Sequence, residues 1–258
     1  MSARRSLAGL RRDWTRLGEA DPLWAVCVDP AKQGGRWDVT EFLESGQAEV
    51  SDAMAALDRL GLCARRDDAL DFGCGVGRLT GALAEHFATV TGVDISLSML
   101  GHARTLHAGQ PRCRFVHNDR QDLRIFPSGS FDLVYSGLVL QHMPASLADG
   151  YLAEFVRVVR PGGAIAILAP ESHRKSPGGL VYAHAPRRLI GLVQRAVYGY
   201  PAPMQMHTLP ASRVRRTVEP LGGRLVASVP GAGYTGHWRM ATHFLAVTGA
   251  AEPSAPGE

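Results

Sequence analysis

The chain has 258 residues, 45% of them hydrophobic and 20% charged, with 29 glycines, which places it among ordinary globular proteins and excludes disordered, collagen-like and coiled-coil classes. The longest apolar run, Ala164 to Ala169, is far short of the roughly 20 residues of a membrane helix, so no membrane span and no membrane partner is expected. The net charge of +4 comes from basic residues dispersed in ones and twos, and the cysteines at 27, 63, 74 and 113 have neither CxxC spacing nor a grouping with histidine; no nucleic-acid partner, a reducing compartment and no metal are expected.

The start, Met1-Ser-Ala-Arg-Arg-Ser-Leu, carries the charge of a signal segment, but Leu7-Ala-Gly-Leu10 runs directly into Arg11-Arg12-Asp13. No hydrophobic insertion region follows, so a cytoplasmic protein is expected. Leu7, Leu10, Trp14 and Leu17 recur at helical spacing, Asp21-Pro22, Asp29-Pro30 and Gly34-Gly35 interrupt the pattern, and Val39 to Leu60 resumes it. Residues 1–60 are therefore predicted to form an N-terminal helical cap.

Within 61–249 the elements alternate. A strand over Ala69 to Phe72 enters the glycine loop Gly73 to Gly77, and a helix over Leu79 to Phe87 and a strand over Thr89 to Val93, closed by Asp94, follow. Next come a helix over Ser98 to His107, strands over Arg114 to His117 and Phe131 to Ser136, a helix over Leu147 to Val159, a turn at Arg160 to Gly163 and a strand over Ala164 to Leu168. Single helices between strands predict an α/β fold with a parallel sheet and right-handed crossovers. Residues 171–209 break the rhythm around an amphipathic segment, Pro186 to Tyr200, whose Leu189, Ile190, Val193 and Val197 are read as packing on the core. A helix over Ser212 to Pro220, strands over Arg224 to Val229 and His243 to Thr248, and a disordered tail at 250–258 complete the prediction.

Leu70-Asp-Phe-Gly-Cys-Gly-Val-Gly77 sets three glycines at alternate positions between a strand and a helix, an arrangement that brings backbone close to a ligand. A dinucleotide loop would want glycine where Arg78 stands, and Asp71 would repel a pyrophosphate. The same carboxylate attracts an ammonium group, and Asp94, 23 residues further on, suits the two hydroxyls of a ribose. The pattern points to a nucleoside with a cationic amino-acid arm.

With those residues in view, the chain resembles the class I S-adenosylmethionine-dependent methyltransferases. The likeness runs in order through Ala69 to Thr80, Val93-Asp-Ile-Ser96, Phe115-Val-His-Asn-Asp119, Ser130 to Ser136 and Arg157-Val-Val-Arg-Pro-Gly-Gly163. It implies a Rossmann-like fold with a mostly parallel seven-stranded sheet flanked by helices, the N-terminal cap on one side and 171–209 as a lid inserted after the fifth strand. It further implies that Asp71, Gly73, Cys74, Gly75 and Gly77 hold the methionyl part, Asp94 the ribose, Ile95 and Met99 the adenine face, and Asp119 with the Arg120 backbone the adenine amino group. Ser136 and Leu138 would border the sulfonium. In similar enzymes an N-terminal segment closes over the cofactor, which makes Trp24 and Trp37 candidate covers and Arg36 a candidate for the cofactor carboxylate. Asn118, where glycine is common, and Arg120, where a small residue is common, depart from the family pattern.

Ligands in open parallel sheets bind beyond the carboxyl ends of the strands, so the acceptor is expected above Tyr135 to His142. His142 is the first candidate base and His207 the second. Tyr182, Tyr198, Tyr200, His237 and Trp238 are candidate substrate contacts, in keeping with a lid over a small, partly apolar acceptor. The expected activity is methylation of an oxygen or nitrogen of a small molecule such as a secondary metabolite. The alternative is a noncatalytic scaffold or sensor that binds the same cofactor.

Overall fold

The computed structural model of the chain describes residues 2–231 and 237–248; the predicted tail at 250–258 lies outside the described residues. Three helices come first: α1 (Ser2–Ala20), α2 (Pro22–Val26) and α3 (Val39–Arg59). Asp38 caps α3 by accepting from the Glu41 N–H at 3.0 Å. The core alternates β1 (Asp68–Phe72), α4 (Arg78–Leu83), β2 (Thr89–Asp94), α5 (Leu97–Leu106), β3 (Cys113–His117), β4 (Phe131–Gly137), α6 (Ala145–Val158) and β5 (Val159–His173). Then come α7 (Pro177–His184), α8 (Arg187–Ala196), α9 (Ala211–Val218), β6 (Gly223–Pro230) and β7 (Trp238–Val247).

The seven strands form one sheet in the order β3-β2-β1-β4-β5-β7-β6, parallel throughout except where β7 runs antiparallel to β5 and β6. This is the Rossmann-like, mostly parallel seven-stranded fold that the sequence led us to expect. Alternation along the strands divides the core. Leu70, Phe72, Val134, Ile165 and Ile167 face α6 and α9, whereas Ala69, Leu133, Tyr135, Ala164 and Ala166 face α3 and α4. The two central strands are thus buried on both faces, as crossovers on both sides require.

Two local readings change. The turn expected at Arg160 to Gly163 lies inside a longer β5, because Arg160 reaches back across the sheet to Asp132 and Asp68, both at 2.8 Å. Asp132, buried, also accepts from the Asp67 and Asp68 N–H groups at 3.0 Å, so one carboxylate fastens the start of β1 beside β4. The second change concerns α8. Leu189, Val193 and Val197 do not pack on the core; they are exposed, and of the four apolar residues only Ile190 is partly covered.

Candidate active site

The site forms beyond the carboxyl ends of β1, β2 and β4, where the strand order reverses between β1 and β4. The glycine loop leaves β1 with Gly73, Gly75 and Gly77 all at positive φ, 75°, 54° and 86°. Space as well as φ demands glycine here. A Cβ on Gly73 would stand 2.4 Å from Val139 and one on Gly75 2.6 Å from Val26, while one on Gly77 would meet His107 at 2.8 Å. The first two contacts bring the loop after β4 and the N-terminal cap directly onto the glycine backbone.

Asp94 ends β2 with both carboxylate oxygens engaged: the Gly75 N–H donates to Oδ2 at 2.9 Å and the Ser96 N–H to Oδ1 at 2.8 Å. Burial pushes its carboxyl up, and these N–H donors partly restrain the rise. Asp94 lines a cavity together with Gly73, Gly75, Ile95, Met99 and Asn118 at one end. At the other end stand Leu138, Gln141, His142, His237, Trp238 and Met240, and Leu7, Leu10, Trp14, Val26, Tyr200, Met204 and Met206 close the sides.

Not every predicted residue reaches this cavity. Asp71 turns beneath the loop, where Thr80 Oγ1 donates to it at 2.6 Å, and burial raises its carboxyl to about 7. Cys74 packs beside Gly92, and burial pushes its thiol up, away from reactivity. Gly77 faces His107 rather than the cavity. Asp119 points outward and pairs with Arg11 at 3.0 Å, so its neighbour Asn118 takes the place in the wall. Asn118 is held by donating to the Asp122 carbonyl and accepting from the Arg120 N–H; Arg120 otherwise offers its carbonyl to the Tyr151 hydroxyl.

Trp24 and Trp37 spend their indole N–H groups on the carbonyls of Asp29 and Cys27, both at 3.0 Å, and support the cap from behind. Trp24 holds Tyr200, its ring centroid 4.7 Å away, and Tyr200 does reach the cavity. Arg36 is exposed and donates to the Ala31 carbonyl. Tyr198 is exposed and leans on Tyr200, while the Tyr182 side chain lies outside the described residues. His207 faces a second cavity beneath α8, not the one that holds His142. Ser136 is fully buried at the end of β4, with no hydrogen-bond partner for its hydroxyl among the described residues. Leu138 adopts φ 62°, unusual for a branched side chain, and this turn aims the next residues back over the cavity.

His142 follows in a 3₁₀ turn, Leu140–His142. Its Nδ1 hydrogen-bonds the Gln205 carbonyl at 2.7 Å, which fixes the ring proton there and leaves the lone pair on Nε2. The Trp14 ring stands 5.0 Å away edge-on. Burial lowers the imidazole to about 4, outweighing the carbonyls of Gln205 and Leu138. Gln141, 2% exposed, gives its backbone carbonyl to the His207 N–H, yet its side-chain oxygen has no partner among the described residues. Sequence reasoning passed over Leu7, Leu10, Trp14, Val26, Asn118 and Gln141 as site residues; the helical spacing of the first three was visible, but not what they cover.

These residues fit an adenosine carrying an amino-acid arm. A carboxylate for ribose hydroxyls stands between an apolar slot, Ile95 and Met99, and a loop whose backbone can be approached only because no Cβ intervenes. No metal-binding group of three acidic, histidine or cysteine residues occurs among the described residues.

The comparisons with known proteins agree. Residues 70–167 match the model of a family described as a methyltransferase domain. Trans-aconitate 2-methyltransferase of Deinococcus radiodurans is 40% identical over 118 residues, covering 45% of this chain and 43% of its own. The 2-methyl-6-phytyl-1,4-hydroquinone methyltransferase of Synechocystis is 30% identical over 163 residues, 63% of this chain and 50% of its own. The chain thus spans about half the length of these curated relatives. Among solved structures, magnesium protoporphyrin IX methyltransferase of Synechocystis superposes with a TM-score of 0.61 at 18% identity, over 93% of this chain and 99% of that one, a likeness of fold. The glycine loop, the Asp94 carboxylate, the strand order and these matches together identify residues 70–167 as a methyltransferase domain, similar to those of the class I S-adenosylmethionine-dependent methyltransferases.

Proposed function

We propose that the protein transfers a methyl group from S-adenosylmethionine to an oxygen or nitrogen of a small, uncharged and largely apolar acceptor. The observation that carries this reading is one cavity running from Asp94 and the glycine loop to His142, Trp238 and Met240, with no Lys or Arg among the described residues that line it. Trans-aconitate, named for one relative, carries three carboxylates, and burying them without cations would cost far more than the wall returns. A hydroquinone, as in the other relative's name, suits a lining of Leu, Trp, Tyr and Met with a few polar groups.

The cofactor supplies an activated methyl on a sulfonium, so the chain's task is to align the acceptor and take its proton. Asp94 would hold the ribose, the backbone of Gly73 and Gly75 the amino-acid arm, and Ile95 and Met99 the adenine. His142 offers Nε2 to the acceptor hydrogen. With the imidazole at about 4 and a phenol near roughly 10, removing the proton beforehand is unfavourable by about 6 units, on the order of 8 kcal/mol. His142 therefore orients the hydroxyl and accepts its proton as the oxygen becomes alkylated and acidic. Leu7, Leu10 and Trp14 keep water from the reacting atoms, and holding both reactants in line supplies on the order of 7 kcal/mol or more.

The test is incubation with labelled S-adenosylmethionine and a panel of phenols, hydroquinones, amines and carboxylates, read by mass. Methylated phenols or hydroquinones are expected. Methylation of trans-aconitate alone, or cofactor binding without any product across the panel, would overturn the proposal.

A further inference from the structure

The outward side of α7 and α8 is apolar where a protein surface is ordinarily polar. Leu180 and Val181 on α7 are more than half exposed, as are Leu189 (52%) and Leu192 (63%) on α8, and Val197 just beyond it is 69% exposed. Leu189, Leu192 and Val193 stand at i, i+3 and i+4 and form one stripe. On the other side Gln194 is buried, its amide donating to the Met204 carbonyl and accepting from the Met204 N–H, both at 3.0 Å, and Gly191 lies against Pro203. The helix is thus anchored by a polar residue and shows its aliphatic stripe to the outside.

Charge narrows what can cover that stripe. From Ser172 to Tyr200 the sequence holds Arg174, Lys175, Arg187, Arg188 and Arg195 and no Asp or Glu, a formal +5 in a chain whose total is +4. We propose that this face rests on an anionic lipid surface, with α8 in the headgroup plane, its aliphatic stripe among the acyl chains and the net positive charge of the segment drawn to the lipid phosphates. A second copy would set two strongly positive faces against each other. A nucleic acid would answer the charge and leave the stripe in water. No helix of the described residues is long and apolar enough to cross a membrane, so the contact is peripheral. The absence of a spanning segment excludes no such contact, since a helix that lies on a membrane needs none.

The chain that follows α8 sends Tyr200, Met204 and Met206 inward to the cavity. Seating α8 on a bilayer therefore sets the apolar chamber beside the lipid. This part rests on the proposed function and narrows its acceptor to a lipid-soluble molecule that arrives through the bilayer.

The test is flotation of the full chain with vesicles of phosphatidylcholine, alone or mixed with phosphatidylglycerol. Partition onto the mixed vesicles should exceed that onto phosphatidylcholine by at least about tenfold and fall in high salt. The triple variant Leu189→Ser, Leu192→Ser, Val197→Ser should lose about tenfold or more, while S-adenosylhomocysteine affinity by calorimetry stays unchanged and reports an intact fold. Several results would overturn the proposal: no flotation with the mixed vesicles, equal partition by the triple variant, a dimer in sedimentation that the triple variant dissolves, or RNA binding that displaces the vesicles. Failure of the wild-type chain to bind S-adenosylhomocysteine would instead overturn the proposed function and leave the lipid surface standing.

Discussion

Replacing Gly75 by alanine tests the contact on which the closed cofactor site depends. The residue sits at φ 54°, where a Cβ costs roughly 1–2 kcal/mol, and that Cβ would lie 2.6 Å from Val26 Cγ2 on α2, an overpacking of roughly 1–3 kcal/mol. Gly75→Ala should therefore destabilise the apo protein by about 3 kcal/mol, or about 6–12 °C in melting temperature for a chain of this size. Val26→Ala alone removes part of a half-buried side chain and should cost about 1 kcal/mol. If the steric term is the one described, the double variant recovers it and retains only the backbone strain and the lost valine, about 2–3 kcal/mol in place of the additive 4. Thermal unfolding of the four proteins, with S-adenosylhomocysteine calorimetry on each, measures the cycle. Effects that add within about 0.5 kcal/mol would refute the packing of the N-terminal cap on the glycine loop.

Three further outcomes are expected. Asp71, raised by burial to about 7, is protonated when folded and ionised when unfolded between about pH 4 and 7, so its contribution is full at low pH and lost as pH rises through 7. Asp71→Asn, which still accepts from Thr80, should then stabilise the apo protein at pH 8 by up to about 4 kcal/mol and by progressively less towards pH 4; urea unfolding that shows a pH-independent difference would contradict this. His142→Ala should lower kcat on the identified acceptor by about 10² or more with cofactor affinity unchanged, and the acidic limb of the wild-type profile should lie near pH 4, not near 6.5. Gln141→Leu removes a buried amide oxygen that has no partner among the described residues, so the apo protein should melt no lower than wild type, and a fall of several degrees would mean that the amide serves the fold.

The sequence by itself determined what depends on local chain chemistry. Strand periodicity, the helices between strands and the spaced glycines determined the sheet and the shape of the loop after β1, because backbone conformation and face alternation are encoded within a few residues. The position of Asp94 was legible for the same reason: it closes the strand that runs beside the glycine loop. Tertiary structure decided everything that required knowing what lies opposite. Asp71 and Asp119 look equally available along the chain, yet one is covered by Thr80 and the other drawn outward by Arg11, 108 residues away in sequence. His142 was visible as a histidine near the methyl site, but its low basicity comes from burial, which outweighs the hydrogen bond to the Gln205 carbonyl. The apolar stripe of α8 marks the limit most clearly. Helical spacing showed that Leu189 and Val193 share a face with Val197, and only the packed structure showed that this face points outward, because periodicity records which residues point together and not in which direction.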